Sequence, residues 1–449
     1  MAKDQTARCT FTPLSRLYNR LLMQPLRKTA IGSHAVSIYH NFMRDSFYRN
    51  SMYLLINMGQ STLSGFLFVI ICAHLFSQAS FGYATSLLGA LGLATAFANV
   101  GMNQTVVRFM GKSSNQSQDM VTNILMVSGI SLLSGIVLSH FFHSFGIRHA
   151  GPLVVAIFIA TVFLMSLKPL FDCVFIALRE SSGTLIENSI FSGAKLLFPI
   201  FVVGTGYIGI FSAQLAGVIL SLTASVLLLR RKHGFNFFVK PSRKSMDGKW
   251  RFAMGSYTSD LVGGLPSSVL PIIVVARLGP VDGALWYVAM QIINVLLAVS
   301  GTVSQAMFAE MANAKGSINK FLKKASISMY GLLIPLSAAV FVVAPNILRL
   351  LHGNYVAAEH VLRLMTVFAL IGVANYITGS ILQVYKKVLY LTLVNTANAV
   401  VVIFYCLLFA HNLNGIAIGW MLGEVVNLVL FALGGFFVAR QHHGNLVID

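Results

Sequence analysis

The chain has 449 residues, 56% of them hydrophobic and only 10% charged, with a mean hydropathy of +0.76. That leaves too little polar surface for a water-soluble protein of this length. A formal net charge of +19 would suggest nucleic acid in a soluble chain, so the placement of the charge decides what it means.

The first 50 residues carry eight Lys and Arg and lack the apolar core of a cleaved signal peptide, so insertion is expected to begin with the first span. Leu14, Leu17, Leu21 and Leu22 recur at helical spacing beside Arg16 and Arg20. That pattern suits a short amphipathic helix on the inner leaflet or a solvated basic tail, and an Arg-rich, acid-poor start also suits a mitochondrial transit peptide.

Twelve apolar stretches follow, each near the roughly 20 residues that a membrane helix needs. They cover 51–73, 82–106, 120–142, 152–178, 184–204 and 207–229, then 252–276, 284–307, 327–348, 361–382, 388–410 and 414–438. The expectation is an all-α polytopic membrane protein of about 12 transmembrane helices in two sets of six. With the N-terminus in the cytoplasm, 26 of the 32 Lys and Arg fall on the cytoplasmic side, four fall outside, and Lys168 and Lys195 lie within spans. The positive-inside rule therefore places both termini in the cytoplasm. Attraction to anionic membrane lipids accounts for the basic charge, and nucleic acid is left without a role. The expected divisions are a basic segment over 1–50, helices 1–6 over 51–229, a basic cytoplasmic linker over 230–251, helices 7–12 over 252–439 and a cytoplasmic tail over 440–449.

The two halves resemble each other. His74-Leu75-Phe76-Ser77-Gln78-Ala79-Ser80-Phe81-Gly82-Tyr83 joins the first two spans, and Arg277-Leu278-Gly279-Pro280 through Gly283 to Trp286-Tyr287 occupies the corresponding place in the second half. Each reads as a tight external turn before an aromatic helix start. Each is followed by a long helix ending in a polar corner, Gly101-Met102-Asn103-Gln104 through Arg108 to Lys112 and Ser304-Gln305 through Glu310 to Lys315. Two repeats of one topology suggest a transporter with its site between them.

Phe81-Gly82-Tyr83-Ala84, Val100-Gly101-Met102-Asn103 and Val107-Arg108-Phe109 carry a family resemblance. The chain resembles the polysaccharide flippases of the multidrug/oligosaccharidyl-lipid/polysaccharide exporter superfamily over about residues 51–439. The resemblance implies a two-lobed, V-shaped helical fold in the bacterial inner membrane. It also implies movement of an isoprenoid-pyrophosphate-linked oligosaccharide from the cytoplasmic to the external leaflet by alternating access, with polysaccharide polymerase machinery as a further partner. Trp286, where repeat symmetry would place glycine, and the long basic N-terminal segment depart from the pattern.

Charges within a membrane are costly and usually face a cavity, which makes them candidates for function. Lys168 and Asp172 share a face of the fourth span with Thr161 and Met165, and Lys195 lies in register with Asn188 and Ser192 on the fifth. A pyrophosphate crossing hydrocarbon needs cationic partners. Lys195, Lys168 and Arg108 are the candidates, the last equally an anchor at a helix end. Lys168 with Asp172 also reads as a mutually neutralising pair. Asn57, Gln60 and Ser64 on the first span, and Gln291, Asn294 and Gln305 on the eighth, form polar stripes suited to sugar hydroxyls or to gluing helices together. Pro169, Pro199, Pro266, Pro271 and Pro335 can bend helices. Among the acids, Asp260 is expected to close a cytoplasmic gate against a cation such as Arg108, and Glu424 to pack with Asn427.

No phosphate-binding Gly-rich loop and no metal-ligand spacing occur, and no cofactor is called for. His442-His443 reads as a solvated tail pair, and Cys9, Cys72, Cys173 and Cys406 as packing residues. A cation antiporter for drugs or metabolites in the same superfamily would want an anionic lining, and a polymerase or ligase would want a large external loop. The longest external loop expected, 349–360, is short.

Overall fold

The computed structural model describes residues 46–147, 150–242, 248–313, 318–384 and 388–441. The pattern around Leu14 to Leu22, Lys315, the His442-His443 pair and the side chains of Gln305 and Glu310 lie outside the described residues. Thirteen α-helices and no strand occur among the described residues. They are α1 Ser46–Leu75, α2 Gln78–Asn99, α3 Met102–Phe109, α4 Gln116–Ser139, α5 Pro152–Ala177, α6 Ser181–Phe201 and α7 Tyr207–His233, then α8 Trp250–Leu278, α9 Pro280–Asn313, α10 Ile318–Leu351, α11 Glu359–Val384, α12 Val388–Leu408 and α13 Leu413–Gln441.

Eleven of these are long and apolar enough to cross a membrane. The twelfth expected span, 184–204, corresponds to α6, whose 21 residues reach about 31 Å at 1.5 Å each. Its Glu187, Asn188 and Lys195 make it too polar to qualify on composition. Such a helix is tolerable only where its polar face is covered by protein or water, and α6 packs between α1, α5 and α7. Leu133, Phe201, Val342 and Leu389 point outward, as expected where the solvent is lipid.

The second stretch departs from its expected boundaries of 82–106. Ser77 caps α2 by accepting a hydrogen bond from the Ser80 amide. The helix stops at Asn99, where Val100 (φ 39°) and Gly101 (φ 71°) turn left-handed before α3 begins. The reason lies in the other half: a β-carbon at Gly101 would sit 2.0 Å from the Ala253 carbonyl oxygen on α8. At the far end of α2, a β-carbon at Gly82 would lie 1.6 Å from the Pro280 carbonyl oxygen. Glycine at these two motif positions lets the backbones of the halves touch. In the second half α9 runs unbroken through 34 residues, so the kinked polar corner belongs to the first half alone. The expected loop 349–360 is largely helical, with α10 continuing to Leu351 and a 3-10 segment over Gly353–Ala358.

The halves form two lobes, α1–α7 and α8–α13. They meet where α2 lies along α8 and α9, and where α1 lies on α9. Near the Ser77 turn they share one core: Phe68, Cys72 and Phe81 pack with Leu270, Trp286, Leu348, Tyr355 and Trp420. Burial of this apolar surface closes the molecule at that end.

The expected linker, 230–251, proves partly helical and partly docked. α7 carries Arg230, Arg231, Lys232 and His233 in its last turn, where cations suit the helix dipole. Beyond it, the Asn236 amide donates to Ser117, Gln118 donates to the Lys240 carbonyl and the Ser242 amide donates to Thr122, each at 3.1 Å. Lys249 pairs with Asp119 at 3.1 Å. The connection between lobes is thus fastened to the start of α4.

Candidate functional site

The polar interior begins with the hairpin of α5 and α6. Arg179, with φ 58°, makes the tight turn between them, so residues at matched distances on either side come face to face. Lys168 Nζ lies 3.1 Å from Asp172 Oδ2, 2.6 Å from Asn188 Oδ1 and 3.8 Å from Glu187 Oε1. Asn188 Nδ2 donates to Asp172 Oδ1 at 3.1 Å, and Ser225 Oγ on α7 donates to Glu187 Oε2 at 2.7 Å. One ammonium thus serves two carboxylates. Its side chain is 8% exposed and that of Glu187 is 0% exposed, so the charges depend on one another rather than on water. The expected Lys168–Asp172 pair is present, and Glu187 completes it. Asn188, expected beside Lys195, is turned towards Lys168 instead.

Lys195, two turns beyond Glu187, is held differently. Its ammonium lies 4.6 Å from the ring centroid of Phe68 on α1 and 5.9 Å from that of Phe191. No carboxylate lies within ion-pair distance of it among the described residues. Two aromatic faces give a cation partial compensation. The remaining positive charge is available to an anion.

The stripe on α1 mostly joins helices. Gln60 accepts a hydrogen bond from Ser189 at 2.8 Å, and the Ser64 and Ser192 hydroxyls are 3.0 Å apart. Asn57 keeps a buried Oδ1 with no partner among the described residues. On α9, Gln291 lies across from Gly65 of α1, and the exposed Asn294 donates to it at 3.1 Å. These amides therefore stand at the meeting of the lobes, one turn above the Lys195 level of α1.

Two expected contacts are corrected. Asp260 on α8 shares a cleft with Gln104 of α3, and among the described residues no ion pair joins it to Arg108. Arg108, one turn further along α3, projects from the exposed face and lies 5.5 Å over the Phe109 ring. Glu424 on α13 takes its hydrogen bond from Asn375 of α11 at 2.6 Å, not from Asn427. For Glu424 the neighbouring helix supplies a closer partner than the helix's own next turn. Pro169, Pro199, Pro266, Pro271 and Pro335 all lie inside helices, as expected.

The profile of the polysaccharide biosynthesis protein family matches residues 47–309. Among solved structures, an inward-facing multidrug resistance MATE family transporter of the MOP superfamily superimposes with a TM-score of 0.65 at 15% identity, over 85% of this chain and 95% of that one. An outward-facing MATE structure gives 0.59 at 17% identity over 88% and 96%. A MOP superfamily transporter from Pyrococcus furiosus, described by the reverse polarity of its binding pocket, gives 0.54 at 16% over 88% and 95%. These likenesses describe the fold. No curated protein matches the chain significantly.

Proposed function

Because the chain belongs to the polysaccharide biosynthesis protein family and has the fold of MOP superfamily transporters, we propose that it is a flippase for an isoprenoid-pyrophosphate-linked oligosaccharide. It works by alternating access in the bacterial inner membrane, carrying the lipid-linked glycan to the external leaflet for the polymerase machinery. The observation that carries this reading is the difference between the two interior lysines. Lys168 is paired with Asp172 and Glu187, whereas Lys195 lies over two ring faces with no carboxylate within ion-pair distance among the described residues. An uncompensated cation in a low-dielectric interior favours an anionic passenger over the organic cation of a drug antiporter. Lys195 would take the pyrophosphate, Gln291 and Asn294 the sugar hydroxyls. Lys168 and Gln60 serve the fold. Deletion of the gene should cause the lipid-linked oligosaccharide to accumulate on the cytoplasmic leaflet, read by leaflet-specific labelling of the glycan. Normal turnover of that intermediate, with new sensitivity to cationic drugs, would favour the antiporter.

The orientation follows from charge: both termini and the linker face the cytoplasm, with Ser77 outside. Cysteine at Ser77 should react with an impermeant thiol reagent in intact cells, while cysteine at Ser242 should react only after lysis. The opposite pattern would invert the topology.

A further inference from the structure

The core that closes the Ser77 end is built of apolar side chains, with a few N–H and O–H groups set among them. They come from the second half, where Trp286 and Tyr287 stand in place of the Gly82 and Tyr83 of the first, and from Tyr355 on the 3-10 segment that follows α10. Trp286 is 0% exposed and Tyr355 1% exposed. A buried indole or phenol ordinarily finds a hydrogen-bond partner, but Trp286 Nε1 and the Tyr355 hydroxyl have none among the described residues. Tyr287 Oη accepts from Gln291 Nε2 at 3.5 Å, which leaves its own proton unengaged by that bond. The Phe81 ring meets the Tyr287 ring edge to face at 87°, centroids 5.7 Å apart, and holds that hydroxyl in place.

Lys195 belongs to the same place. Gln291 faces Gly65 and Gly301 faces Met58, so α1 and α9 run antiparallel, and one turn outward brings Tyr287 level with Phe68. The Lys195 ammonium lies 4.6 Å over Phe68, and Trp286 and Tyr355 pack in the core that contains Phe68. The polar groups gathered here are hydrogen-bond donors, and an ammonium and an indole cannot accept. Donors buried without acceptors destabilise the closed state. Departures of this kind are retained where they serve function.

We propose that Trp286, Tyr287 and Tyr355 form the exit side of the passenger's pyrophosphate site, to which the phosphate oxygens pass from Lys195 as the external end opens. The inference rests on the reading of the chain as a flippase for an isoprenoid pyrophosphate. Phosphate oxygens are acceptors and match these donors, and hydrogen bonds to an anion are stronger than those between neutral groups. The three residues add no charge of their own. They hold the anion less firmly than a second cation would, which suits a site from which it must leave. In the closed state the same donors lie within the core, two of them unsatisfied. A phosphate that engages them therefore favours the opened external end, because its affinity differs between the two states.

The test uses the full-length protein in detergent micelles, titrated with farnesyl pyrophosphate and, as the uncharged control, with farnesol. Wild type is compared with Lys195→Ala, Tyr355→Phe and Tyr287→Phe, and the Tm of each is read without ligand. Tyr355→Phe deletes an oxygen that bonds nothing in the closed state, so its Tm should be no lower than that of wild type. Its affinity for farnesyl pyrophosphate should fall about tenfold or more, with farnesol binding unchanged, and Tyr287→Phe should show a fall of the same kind. Wild-type affinity in both tyrosine variants, with the affinity lost in Lys195→Ala, would overturn this inference alone and leave the anionic passenger standing. A lowered Tm in Tyr355→Phe would make the hydroxyl a structural group and also overturn it. A wild-type protein that does not prefer farnesyl pyrophosphate to farnesol would remove the anionic passenger and this inference together.

Discussion

Lys195→Ala is expected to abolish glycan export while the amount of protein in the membrane stays unchanged. Removing one member of a buried charge contact costs about 2–5 kcal/mol, which corresponds to a loss of more than about 30-fold in binding. The protein itself should tolerate the change, because no carboxylate depends on Lys195 among the described residues and only its contacts over Phe68 and Phe191 are lost. Lys195→Arg should keep part of the activity, since it retains the charge but presents a planar fork where a compact ammonium stood. The measurement is surface glycan per unit of membrane-inserted protein. Wild-type export by Lys195→Ala would remove this residue from the passenger's path and with it the main support for an anionic passenger.

Lys168→Met should fail for a different reason. It strips the ammonium from between Asp172 and Glu187, 3.1 and 3.8 Å away, and leaves two carboxylates facing each other in the lobe interior. Breaking a buried ion pair from one side costs about 3–5 kcal/mol. The expected result is loss of protein from the membrane, or a large fall in Tm, rather than a folded but inactive transporter. Adding Asp172→Asn and Glu187→Gln should restore much of the folded protein, since neutral amides can share the remaining hydrogen bonds with Asn188 and Ser225. A stable, correctly inserted Lys168→Met protein that cannot export glycan would instead make Lys168 a passenger contact. The two lysines thus separate cleanly: one variant loses transport with the fold intact, the other loses the fold.

The sequence reading located the charged residues of the interior but paired them along single helices. Asp172 is one turn from Lys168 and was found. Glu187 lies on the next helix, and spacing along the chain does not bring it to Lys168. The short turn at Arg179 carried a usable signal, because residues equally distant from a helical hairpin turn face each other. Glu424 shows the same limit. Its partner, Asn375, belongs to a helix remote in sequence, and no periodicity indicates which helices are neighbours. Phe68 and Phe191 were invisible as cation partners because an aromatic residue in an apolar span reads as packing.

The sequence by itself determined what depends on transfer between water and lipid. Runs of apolar residues of the right length make membrane helices, and the asymmetry of Lys and Arg carries the proposed orientation, because both effects act on each segment independently of its neighbours. The repeat and its Gly82 and Gly101 motifs were also legible as pattern, though not their purpose. Only the tertiary structure showed that these glycines admit the backbone of the opposite lobe, that α6 can be polar because α1, α5 and α7 surround it, and that α2 breaks at Val100 to meet α8. It alone decided which buried charges are neutralised. Electrostatic compensation in a low-dielectric interior requires atoms within a few ångströms, and that proximity is created by helices packing side by side rather than by spacing along the chain.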